Sequence, residues 1–335
     1  MRGATRAVAS GRGRRALLAP DKFKGTLTAA EVAAAMAEGV RRAGWEAVEL
    51  PIADGGEGTA DALLAARGGR WVAAPASDPL GRPLDARFAL LGDGETAVVE
   101  VAEASGLQRV AEHERDALAA STRGTGELIA AAAQAGASTV IVAAGGSATT
   151  DGGRGAIDAL SGCVRLPRLV VACDTRVGFV QAASVYGPQK GADEAGVAAL
   201  AARLQALAEA APRDPRDVPM TGAAGGLAGG LWAWLGAELR PGAALALDAL
   251  DADAQISAAA VVLTGEGAID AQTLTGKAVG ELAARCRAAG TPCHAIVGRA
   301  QLAEADRAAL GLGSVVEAGT QAAIAAAAAK LLTAA

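Results

Sequence analysis

Histidine and aromatic side chains are scarce in this 335-residue chain: two histidines, and Phe, Trp and Tyr together at 2%. With only His113 and His294, a histidine-based triad or a multi-histidine zinc site has little to be built from. Cys163, Cys173, Cys286 and Cys293 form no two-residue-spaced pairs, and a chain of this length needs no disulfide staples. A basic field is missing as well. The 31 Lys and Arg are outnumbered by 36 Asp and Glu, for a net charge of −5, so nucleic acid is not an expected partner. No apolar run spans a bilayer: the alanine-rich tail, residues 321–335, is short and carries Lys330. The first fifteen residues hold arginines and no acid, but lack the apolar core of a signal peptide. They are expected to form a disordered extension, and the chain is expected to be cytoplasmic with no membrane partner.

Alanine, valine, leucine and glycine are abundant. Hydrophobic residues make up 52% and glycine contributes 44 positions, which argues for many close-packed helices on buried aliphatic strands. Residues 16–20 read as a short buried strand. Thr28 opens a helix to about residue 42, with Glu31 placed for a capping box. A strand at 45–50 and a helix at 59–66 continue the rhythm. From 69 to 101 the texture changes to short strands around Gly81-Arg82-Pro83 and Gly92-Asp93-Gly94, which fits antiparallel pairing. The helix at 125–135 and strand at 139–144 restore the alternation, and the chain ends in strands at 261–263, 294–297 and 314–316 separated by helices.

The fold class predicted is α/β with two domains. A Rossmann/flavodoxin-like parallel-sheet domain is built from both chain ends, 16–68 plus 120–153 plus 255–335. A mixed α/β domain, 69–119 plus 154–254, is inserted into it.

Glycine-punctuated acidic segments carry the chemistry. Asp21, Lys22 and Lys24 follow the first strand, where a lysine can balance a carboxylate or phosphate and Asp21 can accept a hydroxyl proton or hold metal; a solvated helix entry is the other reading. Asp54-Gly55-Gly56-Glu57-Gly58 packs two carboxylates and three glycines into five residues, more than a surface turn requires. Gly145-Gly146-Ser147-Ala148-Thr149-Thr150-Asp151 follows an apolar strand and offers amides and hydroxyls to a phosphate. No Gly-Lys-Ser/Thr ends it, so it is not a Walker A loop. Cys173-Asp174 ends another strand, Lys190 sits in the turn Gly187-Pro188-Gln189-Lys190-Gly191, and Gly222 to Gly230 is either a ligand loop or a close helix contact. Thr264-Gly265-Glu266-Gly267 with Asp270 suits metal or ribose, or a capped helix start.

Taken in order, these seven motifs resemble the bacterial glycerate kinase family of the first type, over about residue 16 to the end. The resemblance implies ATP-dependent phosphorylation of D-glycerate with Mg²⁺, 2-phosphoglycerate favoured over 3-phosphoglycerate, on a two-domain α/β fold without a P-loop. Phosphoryl transfer needs chiefly positioning and charge neutralisation, which glycine amides, lysines and a metal supply. Within that reading Asp21, Lys24 and Asp174 are the catalytic candidates, and Lys22, Asp54, Gly55, Gly56 and Lys190 the substrate candidates. Gly145, Gly146, Ser147, Thr149, Asp151, Gly265, Glu266, Gly267 and Asp270 would face the nucleotide phosphates, with Asp174, Glu266 and Asp270 as metal candidates. The chain departs from the family pattern in a short stretch between Gly153 and Cys173, in Thr175-Arg176-Val177 after Asp174, at Ala268 and at Thr150. The changes beside Asp174 leave room for a kinase of another small hydroxy acid, and a non-catalytic binding protein of the same descent is the further alternative.

Overall fold

The computed structural model describes residues 14–333 except 24, 272 and 276. In chain order its strands are β1 (Arg15–Pro20), β2 (Glu46–Glu49), β3 (Gly69–Ser77), β4 (Pro83–Leu91), β5 (Thr96–Glu100), β6 (Thr139–Ala143) and β7 (Arg168–Cys173). Then follow β8 (Glu238–Pro241), β9 (Val261–Gly265), β10 (Ala268–Ile269), β11 (Cys293–Val297), β12 (Arg299–Ala300) and β13 (Ser314–Glu317). The chain divides into two units, residues 1–52 with 247–335, and residues 53–246. Among the described residues no helix is long and apolar enough to cross a membrane.

The unit made from both chain ends holds a five-stranded sheet in the order β13-β11-β9-β1-β2. Every pairing in it is parallel. Its strands are aliphatic because helices cover them. Ala16, Leu18, Val261, Leu263 and Ile296 pack with Val32, Met36 and Val40 of the helix Ala29–Arg42 and with Ile324, Ala328 and Leu332 of the helix Gln321–Thr333. The first of these helices starts as its sequence predicts: Thr28 Oγ1 accepts from the Glu31 amide at 3.2 Å, and Glu31 Oε2 accepts from the Thr28 amide at 2.8 Å. Thr28→Ala should therefore lower stability by about 1 kcal/mol without touching activity, measured by urea unfolding. The chain runs from β1 to β2 on one side and later to β9 on the other. The strand order therefore reverses at β1/β9, and the loops after those two strands open at the place where α/β sheets bind ligands.

The second unit holds a six-stranded sheet, β3-β4-β5-β6-β7-β8. Its first two pairings are antiparallel and the remaining three parallel. The core sets Phe88, Val99, Val140, Val142 and Val171 against Leu128 and Ile129 of the helix Arg123–Gln134 and Leu227 and Leu231 of the helix Leu227–Leu235. A satellite cluster gathers Phe179, Ala183, Leu200 and Leu204.

Both units are α/β, and one of them is built from both chain ends. The segment membership differs from the sequence expectation. Residues 53–68 and 120–153 belong with the larger unit, because β6 pairs with β5 on one side and β7 on the other, so this segment cannot join the β1 sheet. Residues 247–254 go with the smaller unit. Of the fifteen residues expected to form an extension, 1–13 lie outside the described residues, and Arg15 already pairs with Glu46 at the start of β1. The shortened stretch before Cys173 forms the helix Arg154–Leu160 and a turn leading into β7, so the crossover from β6 to β7 is complete.

Candidate active site

In the larger unit the carboxyl ends of β5, β6, β7 and β8 meet the 54–58 loop. The contacts are close enough that only glycine fits. A Cβ on Gly145, just beyond β6, would lie 2.7 Å from the Gly56 Cα. One on Gly242, just beyond β8, would lie 2.2 Å from the Asp54 carbonyl oxygen. A Cβ on Gly55 would come within 3.1 Å of the side chain of Ala172, near the end of β7. Asp54 is buried, and its Oδ1 accepts from the Gly56 amide at 3.2 Å, folding the loop back on itself. Glu57 approaches Gly146, whose added Cβ would lie against the Glu57 carboxylate. Asp54, Gly55, Gly56, Gly145 and Gly146 are thus brought together at one end of the sheet, and Asp174 stands exposed at the end of β7.

The rest of the 145–153 loop behaves differently from its sequence reading. Gly145 and Gly146 are accessible, whereas Ser147, Thr149, Thr150 and Asp151 are buried. Ser147 Oγ and Thr149 Oγ1 bond each other at 2.9 Å, and Ser147 Oγ also accepts from the Thr149 amide at 3.0 Å. The Thr150 hydroxyl is buried without a partner among the described residues.

Asp151 accepts from the Thr122 amide and hydroxyl at 2.8 and 2.9 Å and from the Gly153 and Gly155 amides at 3.0 and 3.1 Å. Lys190, 3% exposed, donates to the Thr149 carbonyl at 2.6 Å. Burial pushes its ammonium down to about 7, against the pull of Asp151. Ser147, Thr149, Asp151 and Lys190 therefore hold the loop from beneath, their polar atoms engaged with one another, with Thr122 and with backbone atoms of the loop and the helix start that follows it. Of this loop, Gly145 and Gly146 are the residues left open to solvent.

In the unit of both chain ends, the Asp21 amide donates to the Gly265 carbonyl at 2.8 Å, and Thr264 Oγ1 donates to the Ala19 carbonyl at 2.8 Å. These bonds fasten the loop after β1 to the end of β9. The Lys22 amide donates to Asp21 Oδ1 at 2.7 Å. Glu266 is buried and its Oε1 accepts from Thr273 Oγ1 at 2.8 Å. Burial raises its carboxyl to about 7; Thr273 and Lys277 oppose the rise, and the charges of Asp21 and Asp270 add to it. Glu266 thus feels the charges of Asp21 and Asp270, with the half-buried Gly267 next to it in the chain. Gly265 is fully enclosed, its added Cβ falling 2.1 Å from the Ile296 carbonyl oxygen, so it serves the packing of β9 on β11. Lys24 lies outside the described residues.

One functional candidate escaped the sequence reading. Glu100, the last residue of β5, is 7% exposed and reaches across to the 54–58 loop. Its Oε1 accepts from the Gly58 amide at 3.0 Å and the Ala60 amide at 2.8 Å. Burial raises its carboxyl to about 7; Asp61 and Glu103 add to the rise, and the two amides oppose it. An acid closing an apolar strand run, Thr96-Ala97-Val98-Val99, was the available signal.

The chain is similar to known proteins over most of its length. The model of the glycerate kinase family matches residues 16–167 and 163–334, the two stretches meeting at the shortened segment. The chain is similar to glycerate 2-kinase of Escherichia coli (strain K12), 39% identical over 300 residues, covering 78% of this chain and 79% of that one. It is also 38% identical to glycerate kinase of Bacillus subtilis (strain 168) over 321 residues, 84% of each chain. A crystal structure assigned as a glycerate kinase 2 from Salmonella typhimurium LT2 superposes with a TM-score of 0.86 at 32% identity, over 96% of this chain and 98% of that one.

Proposed function

The chain belongs to the glycerate kinase family, which makes it a kinase, and we propose that it transfers the γ-phosphoryl group of ATP to D-glycerate, giving 2-phosphoglycerate. The observation that carries this reading is where the motifs fall. Asp21 follows β1, Gly145 follows β6, Asp174 follows β7 and Glu266 follows β9, each at the carboxyl end of a parallel strand. Phosphoryl transfer asks for little covalent chemistry from a protein and much positioning, which short glycine loops on strand ends provide.

The 54–58 loop takes glycerate, offering the amides of Gly55 and Gly56 to its carboxylate. Gly145 and Gly146 offer backbone amides to the nucleotide phosphates. Asp21 or Asp174 accepts the proton released by the attacking hydroxyl as the Pγ–O bond to ADP breaks.

Mg²⁺ suits the residues present. Among the described residues no three acidic, His or Cys side chains are arranged to hold a metal by themselves, and Mg²⁺ commonly uses one or two carboxylates plus substrate phosphates. Glu266 and Asp270 are hard oxygen donors, and the negative charges of Asp270 and Asp21 felt at Glu266 favour a cation. Bound there, Mg²⁺ would neutralise phosphate charge.

The test is ADP release with D-glycerate, ATP and Mg²⁺, followed by phosphorus NMR of the product. Turnover giving 2-phosphoglycerate is expected. No turnover by folded protein sinks the reading; turnover of a different hydroxy acid in a parallel panel assigns the changed stretch after Asp174 to specificity.

A further inference from the structure

We propose that Glu100 is a positioning residue for substrate, acting through the amides of Gly58 and Ala60 to fix the 54–58 loop against Gly145. This deepens the reading above, in which that loop takes glycerate, and rests on it.

The loop has two unequal ends. At its start, Asp54 and Gly55 lie against the backbone of Gly242, and Gly55 lies against the side chain of Ala172. At its finish, the helix Thr59–Arg67 begins at Gly58, which has φ +91 and supplies no side-chain cap. Its first amides need an acceptor. Thr59 returns its own amide and hydroxyl to the Gly56 carbonyl, at 3.3 and 2.7 Å, which shapes the turn but fastens it to nothing else. Glu100 is the outside anchor. It takes the Gly58 and Ala60 amides from 42 and 40 residues away and sits on β5, which pairs with β4 and β6. A sheet residue therefore sets where the loop stands relative to the glycine pair beyond β6.

The anchoring carboxylate is expensive. It is buried close to Asp61 and Glu103, whose charges oppose its own. Hydrogen bonds to two helix-start amides offset part of that cost. The length of the side chain also matters. A shorter acid on the same strand would pull the acceptor back from both amides, and displacement of a loop by about 1 Å can cost up to about a hundredfold in rate.

Three variants separate anchoring from general structure. Glu100→Gln keeps an acceptor oxygen at the same reach, Glu100→Asp keeps the charge and withdraws the acceptor, and Glu100→Ala removes it. Glu100→Asp and Glu100→Ala are expected to raise KM for D-glycerate by at least about tenfold with KM for ATP within about twofold. Glu100→Gln should restore KM for D-glycerate to within about threefold of the parent. Hydrogen exchange of the peptide covering residues 54–60 should quicken in Glu100→Asp and stay near the parent in Glu100→Gln.

Equal rises in both KM values, or an unchanged KM for D-glycerate in folded Glu100→Asp, overturn the proposal. So does unchanged exchange. Glu100→Asp keeps the test open if Glu100→Ala does not fold. Parent protein without D-glycerate turnover sinks the functional reading alone, and the exchange result still decides whether Glu100 anchors the loop.

Discussion

Replacing Asp151 by alanine is expected to lower stability by roughly 3–5 kcal/mol and to reduce turnover at least about a hundredfold. The carboxylate is buried and is the acceptor for the Thr122 amide and hydroxyl and the Gly153 and Gly155 amides. Alanine leaves all four donors without this acceptor in a largely buried site. It also removes the negative charge that partly offsets the burial of Lys190, whose ammonium holds the Thr149 carbonyl. Asn in place of Asp keeps one accepting oxygen and should cost about half as much. Urea unfolding with an unchanged slope gives the stability difference directly. A loss below about 1 kcal/mol for Asp151→Ala would mean that the carboxylate does not staple this loop.

That staple marks the border between what the sequence revealed and what it hid. Residues 16–20, 139–143 and 261–263 could be read as buried strands because strands of a helix-covered parallel sheet are apolar on both faces. The strand Glu238–Pro241 has no such run. It is a half-exposed edge strand of Glu, Leu, Arg and Pro, and it pairs with β7 alone. The strand Gly69–Ser77 was legible only as part of a stretch of short strands, since Pro75 reads against a strand and is tolerated at the sheet's edge. Sheet membership is a property of pairing rather than of local pattern, so 59–67 and 139–143 looked like a continuation of the first domain.

The site divides in the same way. Glycine beside acid announces a loop where backbones approach closely, and the 54–58 and 145–146 contacts are of that kind. Which way a donor points is not written in its identity. Ser147, Thr149 and Lys190 carry the groups a phosphate would need, yet each is turned inward, onto a neighbouring side chain or backbone atom of the same loop. Glu100 shows the reverse: an acid in an ordinary strand acquires its role only from amides forty residues away in the chain.

The second large effect is expected at Gly225. A Cβ there would lie 1.9 Å from the Thr149 carbonyl oxygen and 2.7 Å from the Thr150 Cα, and the residue has φ +66. Both obstacles are backbone, so no side-chain rotation relieves them. The Thr149 carbonyl is also the acceptor for Lys190, so moving it breaks that bond as well. Gly225→Ala should therefore cost at least about 4 kcal/mol, enough to leave little folded protein in a chain of ordinary stability. Gly81→Ala isolates the conformational part, because Gly81 has φ +83 with nothing within 4 Å of its added Cβ. It should cost about 1 kcal/mol and leave turnover intact. The difference between the two melting temperatures then measures the collision together with the Lys190 bond it breaks. If the two variants melt within a degree of each other, the 222–226 loop is not pressed against Thr149, and the 145–153 loop must owe its shape to Asp151 and Lys190 without it.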